Sequence, residues 1–312
     1  MYNIPKSIER IPHSKGNPIK GKKAMKKQWI PKVTRSLAAL LAALVLWTLW
    51  GNTALMTHRT TISSGRIPAA FSGFRIAQIS DLHNAEFGEE NVKLLQMLSE
   101  CHPSLIAVTG DLIDSRRTDL KAALHFAREA TQIAPVYYVP GNHEALSPQY
   151  SELKAGLEET GVILLEDKAV QLEQEGEKIT LIGLSDPSFT IPDDRFGETP
   201  AMIRTKLDRL ADPEGGYTIL LSHRPELFDV YAASQIDLVF SGHAHGGQFR
   251  LPWIGGLVAP NQGLFPQYDA GLYTSGNTQM FVSRGIGNSI IPLRFNNRPE
   301  IVLAELISKR NP

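Results

Sequence analysis

The sequence has a single cysteine, Cys101, among 312 residues. One cysteine cannot form an intramolecular disulfide, and it excludes a zinc site built from several thiolates. Any metal site in this chain therefore takes its ligands from histidine, carboxylate and amide side chains. The sequence also lacks a GxxxxGK loop followed by Ser or Thr, a complete GxGxxG fingerprint and a GxSxG elbow. These absences disfavour a nucleotide-phosphate loop and a serine hydrolase.

The net charge of zero conceals an uneven distribution of charge. Residues 1–35 contain ten Lys and Arg residues against one acidic residue, Glu9. The remaining 22 basic and 31 acidic residues follow position 35. Affinity for a phosphate backbone needs basic charge near the site, so the acidic remainder argues against a nucleic-acid partner.

Residues 37–56, LAALLAALVLWTLWGNTALM, form a run of 20 residues without a charge. At about 1.5 Å per residue, a helix of this length matches the ~30 Å hydrocarbon core of a bilayer. We therefore predict a basic cytoplasmic tail over 1–35, a single-pass anchor in the cell membrane over 36–57 and an extracytoplasmic catalytic domain over 60–312. A cleaved signal peptide is the alternative, but its apolar region is normally shorter and precedes a small-x-small cleavage site.

From residue 60 onward, short β-like runs alternate with helix-like segments. FRIAQIS (74–80) predicts a buried strand, and EENVKLLQMLSEC (89–101) predicts an amphipathic helix. Further strands are predicted at 104–109, 135–139, 162–165, 169–174, 179–184, 217–222, 237–241, 280–284 and 300–307, and further helices at 118–132, 149–160 and 225–234. The alternation predicts an α/β fold in one domain, with strands buried on both faces.

Polar residues directly follow five of the predicted strands. They are Asp81 and His83; Asp111 and Asp114; Asn142, His143 and Glu144; His223; and His243 and His245. In open α/β sheets, ligands bind beyond the carboxyl ends of the strands, so the five loops are expected to meet. A single motif of this kind is more often an ordinary turn, or a polar residue whose hydrogen bonds are already satisfied. Five such motifs in this order, with donor atoms that complement one another, indicate a metal site.

The donors suit two divalent ions. Asp111 has two carboxylate oxygens and can bridge ions ~3.5 to 4 Å apart. Alternate residues of an extended segment project to one side, so Asp81 and His83 are expected to reach one ion. His243 and His245 lie in a glycine-flanked turn that could direct their imidazoles to different ions. Two further donors follow other strands: Asn142 and His223.

These motifs resemble those of the calcineurin-like metallophosphoesterases, whose pattern is DxH, GDxxD, GNHE, a lone His and GHxH. Every element is present, and the resemblance covers about residues 60–308. It implies a two-sheet β-sandwich flanked by helices, and two divalent metal ions with Mn, Zn or Fe as candidates. The implied ligands of the first ion are Asp81, His83, Asp111 and His245; those of the second are Asp111, Asn142, His223 and His243.

The resemblance also implies a catalytic role for His143, facing the scissile phosphate as a general acid or as a positive hydrogen-bond donor to the leaving oxygen. Asp114 and Glu144 are expected to fix imidazole orientation. The segments SHRPE, GHAHGGQFRLP and VSRGIGNSIIPLRFNNRPEI look like the membrane-anchored bacterial branch. Some relatives there act on UDP-2,3-diacylglucosamine or other envelope phosphoesters.

The expected function is therefore a membrane-anchored, dinuclear metal-dependent phosphohydrolase, either a phosphodiesterase or a pyrophosphatase. Its expected partners are the lipid bilayer and an envelope, lipid-linked or nucleotide-linked phosphoester. Two alternatives stay open: a non-catalytic tethered binding protein that keeps the fold, and a nuclease that uses the basic tail. Four aromatic residues of the Gly/Pro-rich region either line an apolar or lipid-facing cleft or pack internally: Trp253, Phe265, Tyr268 and Tyr273.

Overall fold

The structure is a computed structural model that describes residues 26–194, 197–211, 215–288 and 291–310. Most of the predicted basic tail, residues 1–25, lies outside the described residues. The chain divides into two compact units, 1–46 and 47–312. Helix α1, Lys26–Thr53, contains a stretch, Lys32–Thr53, that is long and apolar enough to span a membrane by length and composition. The expectation of one N-terminal apolar helix is therefore confirmed as far as the length and composition of the helix are concerned.

Six further α-helices occur among the described residues: α2 Val92–Ser99, α3 Leu120–Thr131, α4 Asn142–Leu146, α5 Tyr150–Glu159, α6 Thr199–Leu210 and α7 Phe228–Ala233. The strands in the same ranges are β1 Met56–Ser64, β2 Arg75–Ile79, β3 Leu105–Thr109, β4 Val136–Val139, β5 Ile163–Leu164, β6 Lys168–Gln174, β7 Glu177–Gly183, β8 Tyr217–Leu221, β9 Leu238–Ser241, β10 Arg250–Leu251, β11 Gly255–Gly256, β12 Val258–Ala259, β13 Gly263–Leu264, β14 Gly271–Ser275, β15 Thr278–Val282 and β16 Glu300–Ser308.

Two six-stranded sheets carry the fold. The first has the order β1-β16-β2-β3-β4-β5 and is parallel except where β16 meets β2. The second has the order β14-β15-β9-β8-β7-β6, with antiparallel pairs only at its two edges. Two small hairpins, β10-β11 and β12-β13, follow β9 in the chain. Because the central strands are parallel, their carboxyl ends lie along one edge of each sheet.

Apolar side chains of both sheets form one cluster between them, including Ala107 of β3, Ile219 of β8 and Phe240 of β9. A second cluster joins the outer face of the first sheet to α2, α3 and α5. A third joins the outer face of the second sheet to α6 and α7. The expected α/β fold with two sheets flanked by helices is therefore confirmed.

Helix α3 illustrates how the sequence sets the helical layer. Its N-cap Asp119 accepts a hydrogen bond from the backbone N–H of Ala122, which satisfies one of the free donors at the helix start. Its buried residues, Ala123, Phe126, Ala127 and Ala130, recur at helical spacing and pack against the first sheet. The apolar stripe therefore fixes which face of the helix meets the sheet.

Candidate metal centre

The five polar loops predicted from the sequence all follow central parallel strands, namely β2, β3 and β4 of the first sheet and β8 and β9 of the second. Six of the seven predicted ligands are buried: Asp81, His83, Asp111, His223, His243 and His245. Asn142 is half-buried. The two sheets pack face to face, so loops that are far apart in sequence meet at a shared edge.

The first group of donors consists of Asp81, His83 and His245, whose ligand atoms lie within 4.8 Å of one another. The two imidazoles approach through their Nε2 atoms, which are 3.2 Å apart. Asp81 Oδ1 lies 3.5 Å from His245 Nε2 and 3.9 Å from His83 Nε2. Burial lowers the pKa of His83 and of His245 to about 3. Both imidazoles are therefore neutral at neutral pH and keep a lone pair for a metal.

The second group consists of Asp111, His223 and His243. His223 Nε2 lies 3.2 Å from Asp111 Oδ2 and 3.2 Å from His243 Nδ1. Asp111 Oδ2 is also 3.6 Å from His83 Nε2, so this oxygen faces both groups. The other oxygen, Oδ1, accepts a hydrogen bond from the backbone N–H of His143 at 2.9 Å. Oδ2 of Asp111 thus lies between the two donor groups. The sequence suggested a bridge in which the two carboxylate oxygens each reach one ion.

The contacts of His223 fix which of its ring nitrogens faces the centre. Its Nδ1 lies 2.8 Å from the carbonyl oxygen of Thr109, and a carbonyl can only accept, so Nδ1 carries a proton. Burial alone would lower the pKa of His223, but the charge and hydrogen bond of Asp111 raise it to about 10. Burial alone would raise the pKa of Asp111, but His223 and the neighbouring imidazoles hold it well below its ordinary value. A metal ion would replace the proton on His223 Nε2, so binding releases a proton.

Asn142 supplies a test of whether the donor set fits a metal. Its Oδ1 is buried and has no hydrogen-bond partner among the described residues. An orphaned buried acceptor is costly, by ~1–3 kcal/mol, unless a cation or water satisfies it. The set of imidazole, carboxylate and amide donors matches what Mn, Fe and Zn accept. The residues present therefore fit a divalent metal centre.

Backbone strain is concentrated in the ligand loops. Five of the predicted ligands have left-handed φ angles: Asp81 (53°), His83 (46°), Asp111 (53°), His243 (65°) and His245 (47°). Each such residue costs about 1–3 kcal/mol relative to an ordinary conformation, and strain of this kind gathers at functional sites. The expectation that residues 81–83 are extended is therefore wrong. Asp81 and His83 converge because the chain turns after β2.

Glycine permits the closest approach among these loops. A Cβ added to Gly242 would overlap Ser80 Oγ and Asp81 Oδ2. The backbone N–H of His243 donates to both oxygens of Asp81 at 3.1 Å, which requires this proximity. Gly242 therefore lets the loop after β9 reach the loop after β2.

Glu144 has a different position from the one expected. Its carboxylate accepts hydrogen bonds from the backbone N–H groups of Asp111 (2.8 Å), Gly141 (2.7 Å) and Ile113 (3.1 Å), and it contacts no imidazole through these bonds. The expectation that Glu144 orients an imidazole is wrong. It holds the backbones of the loops after β3 and β4 together. Burial, followed by the negative charge of Asp111, raises the pKa of Glu144 to about 7.

His143 lies beside the two groups, with its ring centroid 4.5 Å from that of His83. The backbone N–H of Ser115 donates to His143 Nδ1 at 3.1 Å. Because that donor is fixed, Nδ1 is the accepting nitrogen and Nε2 carries the proton of the neutral ring. Asp114 Oδ1 lies 3.8 Å from His143 Nδ1, too far for a hydrogen bond, and accepts instead from Arg116, so the expected role of Asp114 in orienting an imidazole stays a prediction.

Arg224 has no role assigned from the sequence, although it directly follows His223. It is buried and forms an ion pair with Asp186 at 2.5 Å. Its Nη1 lies 3.1 Å from His243 Nε2. Asp186 follows β7, which carries none of the five motifs, so only the fold shows that a positive charge is held against the centre.

A cavity of about 480 Å³ opens onto the centre. Its polar lining includes Asp111, Asn142, His143, Arg224, His243 and His245. Its apolar lining includes Leu146, Pro187, Ile191, Leu227 and Pro260. A phosphoryl group would therefore meet the polar floor, while the rest of a substrate would contact an apolar wall.

Buried carboxylates and imidazoles that meet at the carboxyl ends of parallel strands, in a two-sheet α/β fold, are the arrangement of a metal-dependent hydrolase. The family model of the calcineurin-like phosphoesterases matches residues 74–247, and the chain belongs to this family. The chain is accordingly a metal-dependent phosphoester hydrolase, and the expected cofactor of two divalent ions is confirmed as the family's. The resemblance of the motifs to those of the calcineurin-like metallophosphoesterases is confirmed as well.

Three curated relatives illustrate the similarity. The uncharacterized metallophosphoesterase YkuE of Bacillus subtilis is 32% identical over 257 residues, covering 81% of this chain and 85% of the relative. The phosphodiesterase YaeI of Escherichia coli is 28% identical, covering 75% of this chain and 82% of the relative. A transmembrane protein with metallophosphoesterase domain from Danio rerio is 27% identical, covering 76% of this chain and 54% of the relative.

Proposed function

We propose that this chain is a membrane-anchored phosphodiesterase or pyrophosphatase, with two metal ions, that hydrolyses an envelope, lipid-linked or nucleotide-linked phosphoester. The observation that carries the proposal is the position of Asp111 Oδ2 between two buried donor groups, with His143 in the wall of the adjoining cavity. A relative named as a phosphodiesterase, YaeI, supports the choice of reaction.

The ligand assignment follows the two groups. Asp81, His83, Asp111 and His245 would hold one ion, and Asp111, Asn142, His223 and His243 would hold the other. When bound, such ions neutralise phosphate oxygens and lower the pKa of a water molecule toward neutrality. The chain's own contribution is to keep these donors close to one another and mostly buried, with burial lowering the pKa of His83, His243 and His245 so that these three imidazoles are neutral.

His143 is the proposed catalytic residue. With Nδ1 accepting from Ser115, the Nε2–H of the neutral ring would donate a hydrogen bond to an oxygen of a bound phosphoester. His143 thus donates a hydrogen bond to the leaving oxygen or, as the alternative, acts there as a general acid.

The apolar wall of the cavity favours a substrate with an apolar part over a nucleic acid. Arg224 is the cation nearest to the metal centre among the cavity-lining residues, and Asp186 already pairs with it. A nuclease would need unpaired basic charge along a groove to bind successive phosphates. The lining thus supports a lipid-linked or small nucleotide-linked phosphoester.

An uncleaved anchor fits the contacts at the C-terminal end of α1. The Asn52 side chain accepts from the backbone N–H of Arg294 and donates to its carbonyl, both at 2.7 Å. Arg298 stacks on Trp50, with its guanidinium carbon 4.9 Å from the ring centroid. Cleavage after the apolar run would remove these contacts from the catalytic domain. By the positive-inside rule, the basic tail supports a cytoplasmic N-terminus and a catalytic domain on the opposite side of the membrane.

The test is to purify the full chain in detergent, load Mn, Zn or Fe separately, and compare a phosphomonoester, a phosphodiester, single-stranded DNA and a UDP-linked lipid. We expect hydrolysis of a diester or pyrophosphate that is lost in Asp111→Asn. No turnover with any metal would favour the non-catalytic binding protein, and preferred cleavage of DNA would favour the nuclease. In sealed cells, external protease should digest the catalytic domain, and a protected domain would contradict the proposed topology.

A further inference from the structure

Six apolar side chains project from three neighbouring segments of the catalytic unit. Trp253 is fully exposed and Ile254 is 59% exposed in the turn between β10 and β11. Leu264 and Phe265, at the end of β13, are 74% and 65% exposed. Ile291 and Leu293 are also exposed. We call these six residues the apolar collar: Trp253, Ile254, Leu264, Phe265, Ile291 and Leu293.

The collar is held in place by well-defined hydrogen bonds. The Gln248 side chain donates to the carbonyls of Ile291 (2.8 Å) and Leu293 (2.7 Å). Arg250, at the start of the first hairpin, pairs with Asp269 at 2.9 Å. The backbone N–H of Phe265 donates to the carbonyl of Leu257 at 2.9 Å, which extends the β12-β13 hairpin, and the backbone N–H of Leu257 donates to the carbonyl of Phe249 at 2.8 Å beside the first hairpin. The exposure of these side chains is therefore a property of an ordered surface.

Two aromatic residues of the collar are held in a conformation that bulky side chains rarely adopt. Trp253 has φ 64° and Phe265 has φ 54°, both in the left-handed region. Glycine would occupy such positions without strain. Each residue thus costs backbone energy and also leaves apolar area in water. Folding alone gives no reason for aromatic side chains at these two positions, which points to a binding role.

The collar borders the residues at which α1 enters the catalytic unit. Arg294, whose backbone pairs with the Asn52 side chain, is adjacent in sequence to Leu293. Asn296 lines a cavity of about 260 Å³ together with Trp47 and Trp50, and its side chain donates to the carbonyl of Arg250 at 3.4 Å. Trp253 follows Arg250 by three residues in the same hairpin. The segments that carry the collar therefore adjoin, through Arg294 and Asn296, the residues at the C-terminal end of α1.

We infer that the collar inserts into the interface of the lipid bilayer that holds α1. This inference rests on the proposed membrane anchoring of the chain. Tryptophan and phenylalanine favour the boundary between lipid head groups and acyl chains, and the anchor brings the collar to that depth without further cost in chain entropy. The collar thereby fixes the orientation of the catalytic unit on the membrane.

Insertion of the collar also brings the catalytic cavity to the level of the head groups. The β12-β13 hairpin carries Leu264 on its last strand, while Pro260 and Asn261 in its turn line the catalytic cavity. The β12-β13 hairpin therefore contributes residues both to the apolar collar and to the lining of the catalytic cavity. A phosphoester that is attached to a membrane lipid can enter the cavity without leaving the bilayer, whereas a soluble ester gains nothing from the collar.

The first measurement uses the full chain reconstituted in vesicles of phosphatidylcholine and phosphatidylglycerol, with and without brominated acyl chains. The chain has four tryptophans, so the fluorescence difference between the wild type and Trp253→Phe isolates Trp253. We expect this difference signal to be quenched by brominated lipid and shielded from acrylamide. Vesicle flotation on a density gradient is recorded in parallel.

The second measurement uses the double variant Trp253→Gly with Phe265→Gly, because glycine relieves the positive φ and should preserve the fold. We expect unchanged kcat/KM on a soluble diester in detergent, and a loss of at least about tenfold on a diacyl-lipid phosphodiester in vesicles, because burial of even one of the two aromatic side chains is worth about that factor. Ile163→Ser is the matched control. Ile163 is 38% exposed on β5, at the opposite edge of the first sheet from β1, so both activities should stay unchanged.

The outcomes separate the two proposals. A chain that floats with vesicles but keeps Trp253 accessible to acrylamide would overturn the collar and leave the anchoring intact. A dimer of the wild type that the double glycine variant abolishes would overturn it in favour of a contact between two copies. A chain that fails to float would overturn the anchoring and the collar together.

Discussion

The substitution Gly141→Ala tests whether the close approach of two loops builds the metal centre. Gly141 has φ −97° and ψ −168°, an extended conformation that alanine adopts without strain. The effect of the added methyl group is therefore steric. Its Cβ would lie 2.7 Å from Asp111 N and 2.9 Å from Asp111 Cγ, and would overlap Asp111 Oδ1.

The size of the effect follows from these distances. The separation from Asp111 N must widen from 2.7 Å to the 3.4 Å of ordinary contact, although Glu144 Oε2 holds the N–H groups of both residues. Overpacking of this kind costs about 1–3 kcal/mol in the free energy of unfolding. A displaced Asp111 carboxylate also exceeds the ~0.2 Å tolerance of metal–ligand distances. We expect metal affinity to fall by at least ~10–100-fold, the range for perturbed supporting residues.

The assay is metal stoichiometry by mass spectrometry after dialysis against graded metal concentrations, with urea unfolding of the same samples. Gly65→Ala is the control, because Gly65 is exposed with an ordinary φ and a Cβ there meets no atom within 4 Å. Two ions per chain in Gly141→Ala, with wild-type affinity and kcat, would refute the reasoning. So would equal destabilisation by the two substitutions.

Two further predictions concern neighbouring residues. His143→Ala should retain both ions and lose about 10²–10³-fold in kcat, because a positioned hydrogen-bond donor is removed while the ligands remain; a variant with wild-type kcat on an alkyl phosphodiester would contradict this role. In the metal-free chain, the pKa of Glu144 is raised from 4.5 to about 7 by burial and by Asp111. The contribution of its protonated form to stability is thus present below pH ~4.5 and lost as the pH rises through ~7. Glu144→Gln should remove that part of the pH dependence of urea unfolding, and a variant with the wild-type slope would show that another group titrates.

The strand-end loops could be predicted because hydrophobic strands and polar motifs alternate in the sequence. β2, β3, β8 and β9 agree with the expected ranges to within one residue at each end. These strands are buried on both faces, so their composition reflects burial directly. The meeting of the polar residues could then be predicted, because the carboxyl ends of parallel strands lie along the same edge of a sheet.

Strand β1 shows where sequence reasoning fails. Its nine residues, MTHRTTISS, contain one buried side chain, Ile62, and no regular alternation of apolar residues. It is an edge strand whose order comes from pairing with β16, more than 200 residues later in the chain. Pairing of this kind depends on backbone hydrogen bonds, which every residue except proline can form, so the sequence carries little signal for it. The roles of Glu144 and Arg224 were missed for a related reason, because each depends on contacts between loops.

The centre is held largely by backbone amides, and this explains how buried charge persists without relying on metal. Asp81 accepts from the backbone N–H of His243, and Asp111 accepts from that of His143. Each donor belongs to a loop that follows a different strand, so the packed sheets set the position of the carboxylates before any ion binds. Charge-assisted bonds of this type offset the desolvation of a carboxylate. Strained ligand residues are tolerated for the same reason, since each of them follows closely on the end of a packed strand. The packed sheets therefore supply much of the geometry that a metal ion needs from its ligands.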